Sequence, residues 1–192
     1  MMIKPAAKSI VIDRTFLGNG DFRYVEQAYE RLESAAGEYP GFGEWFSRKV
    51  IPGLFTGERI FVLKIIAGEI AAAAVLKNDV REKKICTLWV NQYCQGFGLG
   101  NELFNHSFEL LQTDRPLITI SSDKIEQFVS LITKYNFMLC TSLDSYYVPG
   151  VRELCFNGTL PAKPVKLVPG HNGLVNPYRE KVNLDLRTVP IG

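Results

Sequence analysis

Three glycines within five positions form the stretch of this chain whose residue types most clearly suit chemistry. It has the sequence Gln95-Gly96-Phe97-Gly98-Leu99-Gly100, after an apolar strand-like run over 85–90 and before a helix-like run beginning at Asn101. Glycine lets the backbone turn sharply and approach a ligand closely. A helix N-terminus adds unpaired N–H groups and a positive dipole end. The stretch therefore predicts a cradle for a phosphate group.

The spacing of the glycines excludes two familiar phosphate loops. The dinucleotide fingerprint G-x-G-x-x-G would need a glycine where the chain has Asn101. The ATP-binding P-loop needs Lys-Ser or Lys-Thr after its last glycine, and neither dipeptide follows Gly100. A glycine-rich turn that binds no ligand stays open as an alternative at this point.

The remaining pattern, Q-x-x-G-x-G at Gln95, Gly98 and Gly100, resembles the [RQ]-x-x-G-x-[GA] loop of the GNAT superfamily of N-acetyltransferases. That loop holds the pyrophosphate of acetyl-CoA, so the resemblance implies acetyl-CoA as co-substrate. It also implies an amine acceptor, which could be a small molecule, a protein N-terminus, a lysine or the amino acid on a charged tRNA. The residues whose backbone would bind the pyrophosphate are Gln95, Gly96, Phe97, Gly98, Leu99 and Gly100.

The composition is that of an ordinary globular protein with one sizeable core. The chain has 192 residues, of which 46% are hydrophobic and 22% charged. A net charge of +2 argues against nucleic-acid binding as the main activity, because such proteins usually carry a concentrated basic surface. Residues 161–192 hold five basic and two acidic residues, which could meet an acidic partner or lie in solvent as an extension.

The cysteines and the N-terminus bear on the compartment and on metals. The four cysteines form no C-x-x-C pair and no metal-like spacing with His106 or His171, so we expect no metal site. Three of the four lie in apolar or aromatic surroundings, which suits small buried thiols in a reducing compartment. No signal-peptide core and no membrane-spanning apolar run occur in the sequence. The expected setting is the cytoplasm, without a membrane partner.

Hydrophobic periodicity predicts seven strands and four helices. The strand-like runs are 8–13, 59–66, 69–76, 85–90, 116–121, 137–143 and 153–156. The helix-like runs are 21–35, which Asp21 would cap; 42–50, ending near Pro52; 101–111; and 123–135, with a capping-box-like Asp123 and Glu126.

This order of elements is that of the GNAT fold, with the glycine loop between the fourth strand and the third helix. The predicted fold class is therefore α/β: a mixed, mostly antiparallel central sheet flanked by helices and splayed between its fourth and fifth strands. We predict a GNAT-like acetyltransferase domain over residues 1–157 and a Pro-rich C-terminal extension of unknown role over residues 158–192. A homodimer is a further expectation.

The resemblance also implies how the two strands would serve the reaction. The fourth strand would part from the fifth at a bulge near Leu88 to Val90, and pantetheine would lie in the gap. Leu88 and Val90 are therefore predicted cofactor-binding residues, with backbone N–H groups around Val90 polarising the acetyl carbonyl. The amine would attack directly, with no acyl-enzyme. The protein must then remove a proton from the ammonium and return one to the thiolate.

The usual proton donor of the family cannot be carried over to this chain. Many members carry a tyrosine five residues before a Gly-Phe pair as the acid for the thiolate. Aligning Phe137 with that phenylalanine puts Ile132 at the tyrosine position and Asn136 at the glycine. Ile125 falls where the family usually has asparagine. The acid must be sought elsewhere.

Tyr135 is the candidate catalytic acid closest to the expected position, and Tyr146 and Tyr147 are substitutes. Each also fits a packed aromatic with a solvated hydroxyl. The fourth strand has no glutamate to serve as a base, and Glu69, in the preceding hairpin, is predicted to be a solvated turn residue. The resemblance to the GNAT family also implies that residues 42–48 form one wall of the acceptor cleft.

Three classes of function stay open from the sequence. The first is an N-acetyltransferase. The second is a catalytically weak GNAT-like module that binds coenzyme A or a protein partner, which the missing tyrosine would favour. The third is a regulatory or toxin-type protein whose C-terminal extension recognises a partner. Cys86 and Cys94 are not predicted nucleophiles, because no histidine partner is evident for them, and His106 is predicted to be partly buried or capping.

Overall fold

The computed structural model describes residues 6–18, 22–36 and 39–162, and these residues fold around one seven-stranded sheet. The strand order is β1-β2-β3-β4-β5-β7-β6. Strands β4 and β5 run parallel and all other neighbours are antiparallel, which confirms the predicted fold class. The strands are β1 (Lys8–Ile12), β2 (Arg59–Ile66), β3 (Glu69–Asn78), β4 (Lys83–Val90), β5 (Leu117–Ser121), β6 (Leu139–Asp144) and β7 (Arg152–Phe156).

Helices cover both faces of the sheet and enclose two apolar cores. One face packs against α1 to α4 and the other against α5 and α6. Because β3 is buried on both faces, it is apolar from Ile70 to Leu76 without alternation. The helices are α1 (Arg14–Leu17), α2 (Arg23–Ala36), α3 (Phe42–Trp45), α4 (Ile51–Thr56), α5 (Leu99–Leu111) and α6 (Val129–Lys134).

The predicted end of the second helix near Pro52 is wrong. A π-helical turn, Phe46–Val50, joins α3 to α4, and the helix continues to Thr56. The N–H of Ile51 donates to the carbonyl of Phe46, five residues back. This wider turn shifts the hydrogen-bond register just before the proline, whose missing N–H then falls at the start of the next helical segment.

Two other helix starts differ from the prediction. Asp13, predicted as the end of a strand, caps α1 by accepting a hydrogen bond from the N–H of Phe16 at 2.9 Å. The capping box at Asp123 does not form, because the chain first makes a 3₁₀ turn over Ile125–Gln127 and then begins α6 at Val129. The predicted cap by Asp21 lies outside the described residues.

A bulge in β4 begins the separation of the two parallel strands. Leu76 of β3 pairs with Ile85 and Val75 pairs with Thr87, so Cys86 has no opposite residue in β3. An extra residue bends a strand and increases its twist. The bulge was predicted near residues 88–90, and that position is wrong: those residues keep a regular register with β3.

Residues on both sides of the predicted boundary at 157/158 contact the rest of the domain. The N–H of Asn157 donates to the Met138 carbonyl at 2.8 Å, and its side-chain amide donates to the Pro116 carbonyl at 3.2 Å. The Tyr146 hydroxyl donates to the Pro161 carbonyl at 3.0 Å. Residues 163–192 lie outside the described part of the chain, so the domain boundary stays a prediction.

None of the helices in the described ranges has the length and apolar character needed to cross a bilayer. The same residues contain no group of three or more His, Cys, Asp and Glu side chains that could hold a metal ion.

Candidate functional site

The site begins where β4 and β5 separate. They pair only at Lys84 with Leu117 and at Ile85 with Ile118. From Thr87 onward, the described residues of β4 pair with β3 but with no strand on the β5 side. The backbone N–H and C=O groups on that side are therefore open to an extended ligand, as at a sheet edge.

Both predicted cofactor-binding residues of β4 lie beside this gap. Leu88 pairs with Ala74 and Val90 with Ala72, so their positions in the sheet are fixed by β3. Both side chains are half-buried and pack on the core beneath α5. The backbone at Leu88 and Val90 can thus bind a ligand while their side chains stay packed on the core.

The glycine-rich loop leads directly from the end of β4 into α5. Asn91 caps a 3₁₀ turn, Gln92–Cys94, by accepting from the N–H of Tyr93 at 3.0 Å. Gly96 and Gly98 follow, both in the left-handed region with φ of 80°. Gly98 is the N-cap of α5, so the helix starts at Leu99, two residues before the predicted Asn101.

The start of α5 presents backbone N–H groups to the open side of the loop. The first helical bond runs from the Glu102 N–H to the Gly98 carbonyl at 3.1 Å, so the N–H groups before it have no partner within the helix. A Cβ added to Gly96 would meet nothing within 4 Å, which shows open space above this backbone. An anion fits this arrangement of N–H groups and dipole.

The side chains of the loop fix its place on the domain. Leu99 is buried in the core, Phe97 is half-buried, and Gln95 is exposed with Nε2 3.5 Å from the Val90 carbonyl. A Cβ on Gly100 would lie 3.6 Å from Leu131 Cδ1 of α6, an ordinary contact. The structure therefore brings all six predicted loop residues together at one helix end.

Tyr135 lies at the C-terminal end of α6 and contacts α5. Its hydroxyl donates to Asn105 Oδ1 at 2.8 Å, and its ring stacks on Phe104 with 5.4 Å between centroids. Phe108 meets the same ring edge-on at 5.1 Å. Ile132, at the family's tyrosine position, packs into the same core.

A second polar group, which the sequence analysis did not find, lies on the opposite face of the sheet. Glu153 of β7 is only 3% exposed and Lys84 of β4 only 7%. The Thr119 side chain of β5 lowers the pKa of both Glu153 and Tyr147, against the larger raising by burial. One available signal was the alternation in β7, which puts Glu153 on the same face as the buried Cys155.

The other candidates take no part in this arrangement. Burial raises the pKa of the Cys86 thiol, which disfavours the thiolate that would act as a nucleophile. Glu69, whose side chain is 73% exposed, pairs with Arg31 at 2.7 Å, which confirms its prediction as a solvated turn residue.

No family model and no curated protein matches the chain. Among solved structures, it is similar to the ribosomal-protein-S18-alanine N-acetyltransferase of Escherichia coli, with TM-score 0.56, 16% identity and coverage of 79% of this chain and 92% of that one. A GNAT-family protein from Desulfovibrio desulfuricans matches with TM-score 0.53, 13% identity, and coverage of 79% and 97%.

A nourseothricin acetyltransferase matches with TM-score 0.48, 14% identity and coverage of 53% of this chain; the chain spans only 65% of that protein. At such low identity, what the comparisons show is the fold. The chain has the GNAT fold, as the glycine spacing and the order of elements predicted.

Proposed function

We propose that this protein is an acetyl-CoA-dependent N-acetyltransferase that passes the acetyl group directly to an amine. The observation that carries the proposal is one continuous ligand path. It begins at the open edge of β4 beyond Ile85, passes Val90 and ends at the glycine loop and the N-terminus of α5. A long ligand with an amide-containing arm and a pyrophosphate matches both ends of this path.

The residues along the path fit acetyl-CoA. The N–H groups at the start of α5, the open left-handed backbone at Gly96 and the left-handed Gly98 suit the pyrophosphate. The unpaired edge of β4 suits the pantetheine amides, which would pair with it as a strand does. Leu88 and Val90 would line the arm. Bound there, acetyl-CoA supplies an acetyl group activated as a thioester.

The protein would then position the two substrates, polarise the acetyl carbonyl and assist the two proton transfers. Backbone N–H groups near Val90 would donate to the acetyl carbonyl and stabilise the negative charge that develops on its oxygen. The acceptor amine must lose a proton, and the leaving thiolate must gain one. Tyr135, Tyr146 and Tyr147 are the proposed candidates for the acid, since position 132 is isoleucine.

A second candidate function is a module that binds coenzyme A without catalysis. Ile132, which packs in the core and has no hydroxyl, is the observation that favours it. The same loop and the same strand edge would hold the ligand in both cases, so binding alone does not separate the two. Turnover does.

Calorimetry with acetyl-CoA and an assay of thiol release test the two together. The amine panel should contain a polyamine, a peptide with a free N-terminus, a lysine peptide with a blocked N-terminus, and an aminoacyl-tRNA. Binding with thiol release for at least one amine supports the enzyme. Binding without release supports the module. No binding at millimolar acetyl-CoA overturns both.

Size-exclusion chromatography of the same sample tests the expected homodimer.

A further inference from the structure

A lysine ammonium lies beside the first turn of α5. Lys134 is the last residue of α6, and its Nζ donates to Asn101 Oδ1 at 2.6 Å. Asn101 is the third residue of α5, and the first helical bond of α5 is the one donated by Glu102. The backbone N–H of Asn101 is therefore one of the unpaired N–H groups at the helix start, and the ammonium lies close to them.

Contacts between α5 and α6 hold the ammonium at this place. A Cβ on Gly100 would lie 3.6 Å from Leu131 Cδ1, so α6 passes close to the start of α5. The Tyr135 ring stacks on Phe104 of α5 with 5.4 Å between centroids, and Lys134 Nζ lies 5.1 Å from the centroid of the Tyr135 ring. This cation–π contact adds to the hydrogen bond. The lysine side chain is exposed, yet its ammonium has a defined position beside the helix start.

The positive charge of Lys134 is not neutralised by these contacts. The amide of Asn101 and the ring of Tyr135 are both uncharged, and among the residues that the structure describes Lys134 forms no ion pair. Glu102, the acidic residue in the first turn of α5, is paired with Lys64 at 3.0 Å. An ammonium has more N–H donors than the single bond to Asn101 uses. A full charge and further donors thus remain for an anion beside the glycine loop.

The ligand of the proposed function has one phosphate that the glycine loop leaves without a partner. The pyrophosphate fits the N–H groups at the start of α5. Acetyl-CoA also carries a phosphate monoester on the 3′ oxygen of its ribose, with about two negative charges near neutral pH. Because the pantetheine arm would run inward along the open edge of β4, the ribose would lie on the solvent side of the loop. Lys134 is exposed on that side.

We propose that Lys134 binds the 3′-phosphate of the coenzyme and makes the protein prefer acetyl-CoA to 3′-dephospho-acetyl-CoA; this inference rests on the proposed function. Asn101 is a positioning residue, because it holds the ammonium in place without neutralising it. Tyr135 contributes its ring to the same positioning, independently of any role of its hydroxyl. The interaction is a charge-assisted hydrogen bond, and no covalent step is involved.

A comparison of two ligands with two proteins tests this assignment. Isothermal titration calorimetry at low ionic strength measures the affinities of the full-length wild type and of Lys134→Met for acetyl-CoA and for 3′-dephospho-acetyl-CoA. The wild type should bind acetyl-CoA about 10-fold more tightly, because the dephospho form lacks the partner of the ammonium. Lys134→Met should bind both ligands with the affinity that the wild type has for the dephospho form.

Lys124→Met is the matched control for the loss of a lysine. Lys124 Nζ also lies 5.1 Å from the centroid of a tyrosine ring, but that ring is Tyr39, in the segment before α3. Its ligand preference should be that of the wild type. Asn101→Ala keeps the ammonium and removes its anchor, so its preference should fall between those of the wild type and Lys134→Met. Melting temperatures identify a variant that binds weakly because it is unfolded, and the other variant then decides.

Steady-state kinetics with the best amine of the panel give a second readout. The 3′-phosphate is remote from the thioester, so Lys134→Met should raise KM for acetyl-CoA about 10-fold and leave kcat unchanged. A lower kcat with an unchanged KM would overturn the binding role.

The outcomes distinguish this inference from the proposed function. A wild-type protein that binds both ligands equally, or a Lys134→Met variant that keeps the wild-type preference, overturns the inference alone. An equal loss for both ligands in Lys134→Met also overturns it, because the ammonium would then bind the pyrophosphate. A wild-type protein that binds neither ligand at millimolar concentration overturns the proposed function, and this inference with it.

Discussion

Lys64 and Glu102 form an ion pair between the sheet and the helix that carries the glycine loop. Lys64 Nζ of β2 lies 3.0 Å from Glu102 Oε2 in the first turn of α5. The ammonium also donates to the Ser9 hydroxyl at 2.8 Å. The lysine side chain is only 7% exposed, so the pair is largely shielded from solvent. An acidic residue in the first turn also interacts favourably with the helix dipole.

We predict that Lys64→Met destabilises the fold by ~1–3 kcal/mol, because it leaves a partly buried carboxylate without its cation. Thermal unfolding and a double-mutant cycle with Glu102→Gln measure the effect and the coupling. The matched control is Arg31→Met, which breaks an exposed pair with Glu69 and should cost about 0–1 kcal/mol. Equal losses in the two variants would contradict the anchoring role.

The second prediction concerns the pyrophosphate site. Gly98→Glu should weaken acetyl-CoA binding at least about 10²-fold, because a carboxylate at the helix start opposes the pyrophosphate charge. Gln95→Ala should change the affinity little, since its side chain is exposed and the proposed contacts are with backbone. Isothermal titration calorimetry of both variants tests this difference.

Gly57→Glu is the matched control for that substitution. Gly57 also has a positive φ, of 85°, and a Cβ there meets nothing within 4 Å. The added charge is the same, and the backbone strain of ~1–2 kcal/mol is similar because the two φ angles are 85° and 80°, but Gly57 lies at the C-terminal end of α4. Its acetyl-CoA affinity should be that of the wild type. A comparable loss of affinity in both variants would refute the loop as the binding site.

The fold and the loop were predictable because their signals are local. Strand alternation, turn residues and glycine spacing are visible in short windows of sequence. The order of the predicted elements along the chain was then enough to predict the class of sheet. The turn between the second and third predicted strands is formed by Ala67 and Gly68, whose φ angles of 51° and 87° are those that a two-residue hairpin loop requires. The start of α5 was misjudged by two residues because capping by a left-handed Gly98 depends on backbone angles.

The polar group that contains Glu153 was not predictable in the same way. Its members come from three strands and a loop, and they meet only because β7 inserts between β5 and β6. The π turn before Pro52 and the bulge at Cys86 are similar cases, since both depend on how neighbouring elements pack. Tertiary context overrides local propensity at such positions.

Residues 157–162 should stabilise the domain. A chain ending at Phe156 loses the Asn157 bonds to Met138 and Pro116 and the bond between Tyr146 and Pro161. A chain ending at residue 162 keeps them. We expect the shorter chain to be less stable by about 1–3 kcal/mol in urea unfolding, at roughly 1 kcal/mol per hydrogen bond. Equal midpoints for the two chains would refute this.

Glu153→Gln should make the protein increasingly more stable than the wild type as pH rises above 4.5. The folded state raises the pKa of Glu153 above the ordinary value of 4.5 by burial, so the native protein binds this proton more tightly than the unfolded chain. Stability from this group is present below pH 4.5 and is lost as pH rises through the raised pKa. The melting-temperature gain of the variant should therefore grow with pH. A gain that is constant from pH 4 to 8 would contradict the buried carboxylate.

The last prediction separates the two roles open to Tyr135. If it supplies the proton to the leaving thiolate, Tyr135→Phe should lower kcat by roughly 10²-fold or more, because only the hydroxyl is removed. Its contacts favour packing: the hydroxyl already donates to Asn105 and the ring stacks on Phe104. We therefore expect unchanged turnover, with a stability loss of about 0.5–1.5 kcal/mol for the missing hydrogen bond.

Asn105→Ala is the companion variant for this test. It removes the hydrogen-bond partner at 2.8 Å while leaving the Tyr135 hydroxyl in place. A packing role predicts a similar stability loss and full turnover in both variants. Only Tyr135→Phe removes the phenol proton. Turnover that falls in Tyr135→Phe but not in Asn105→Ala, with unchanged acetyl-CoA affinity, would therefore identify Tyr135 as the acid.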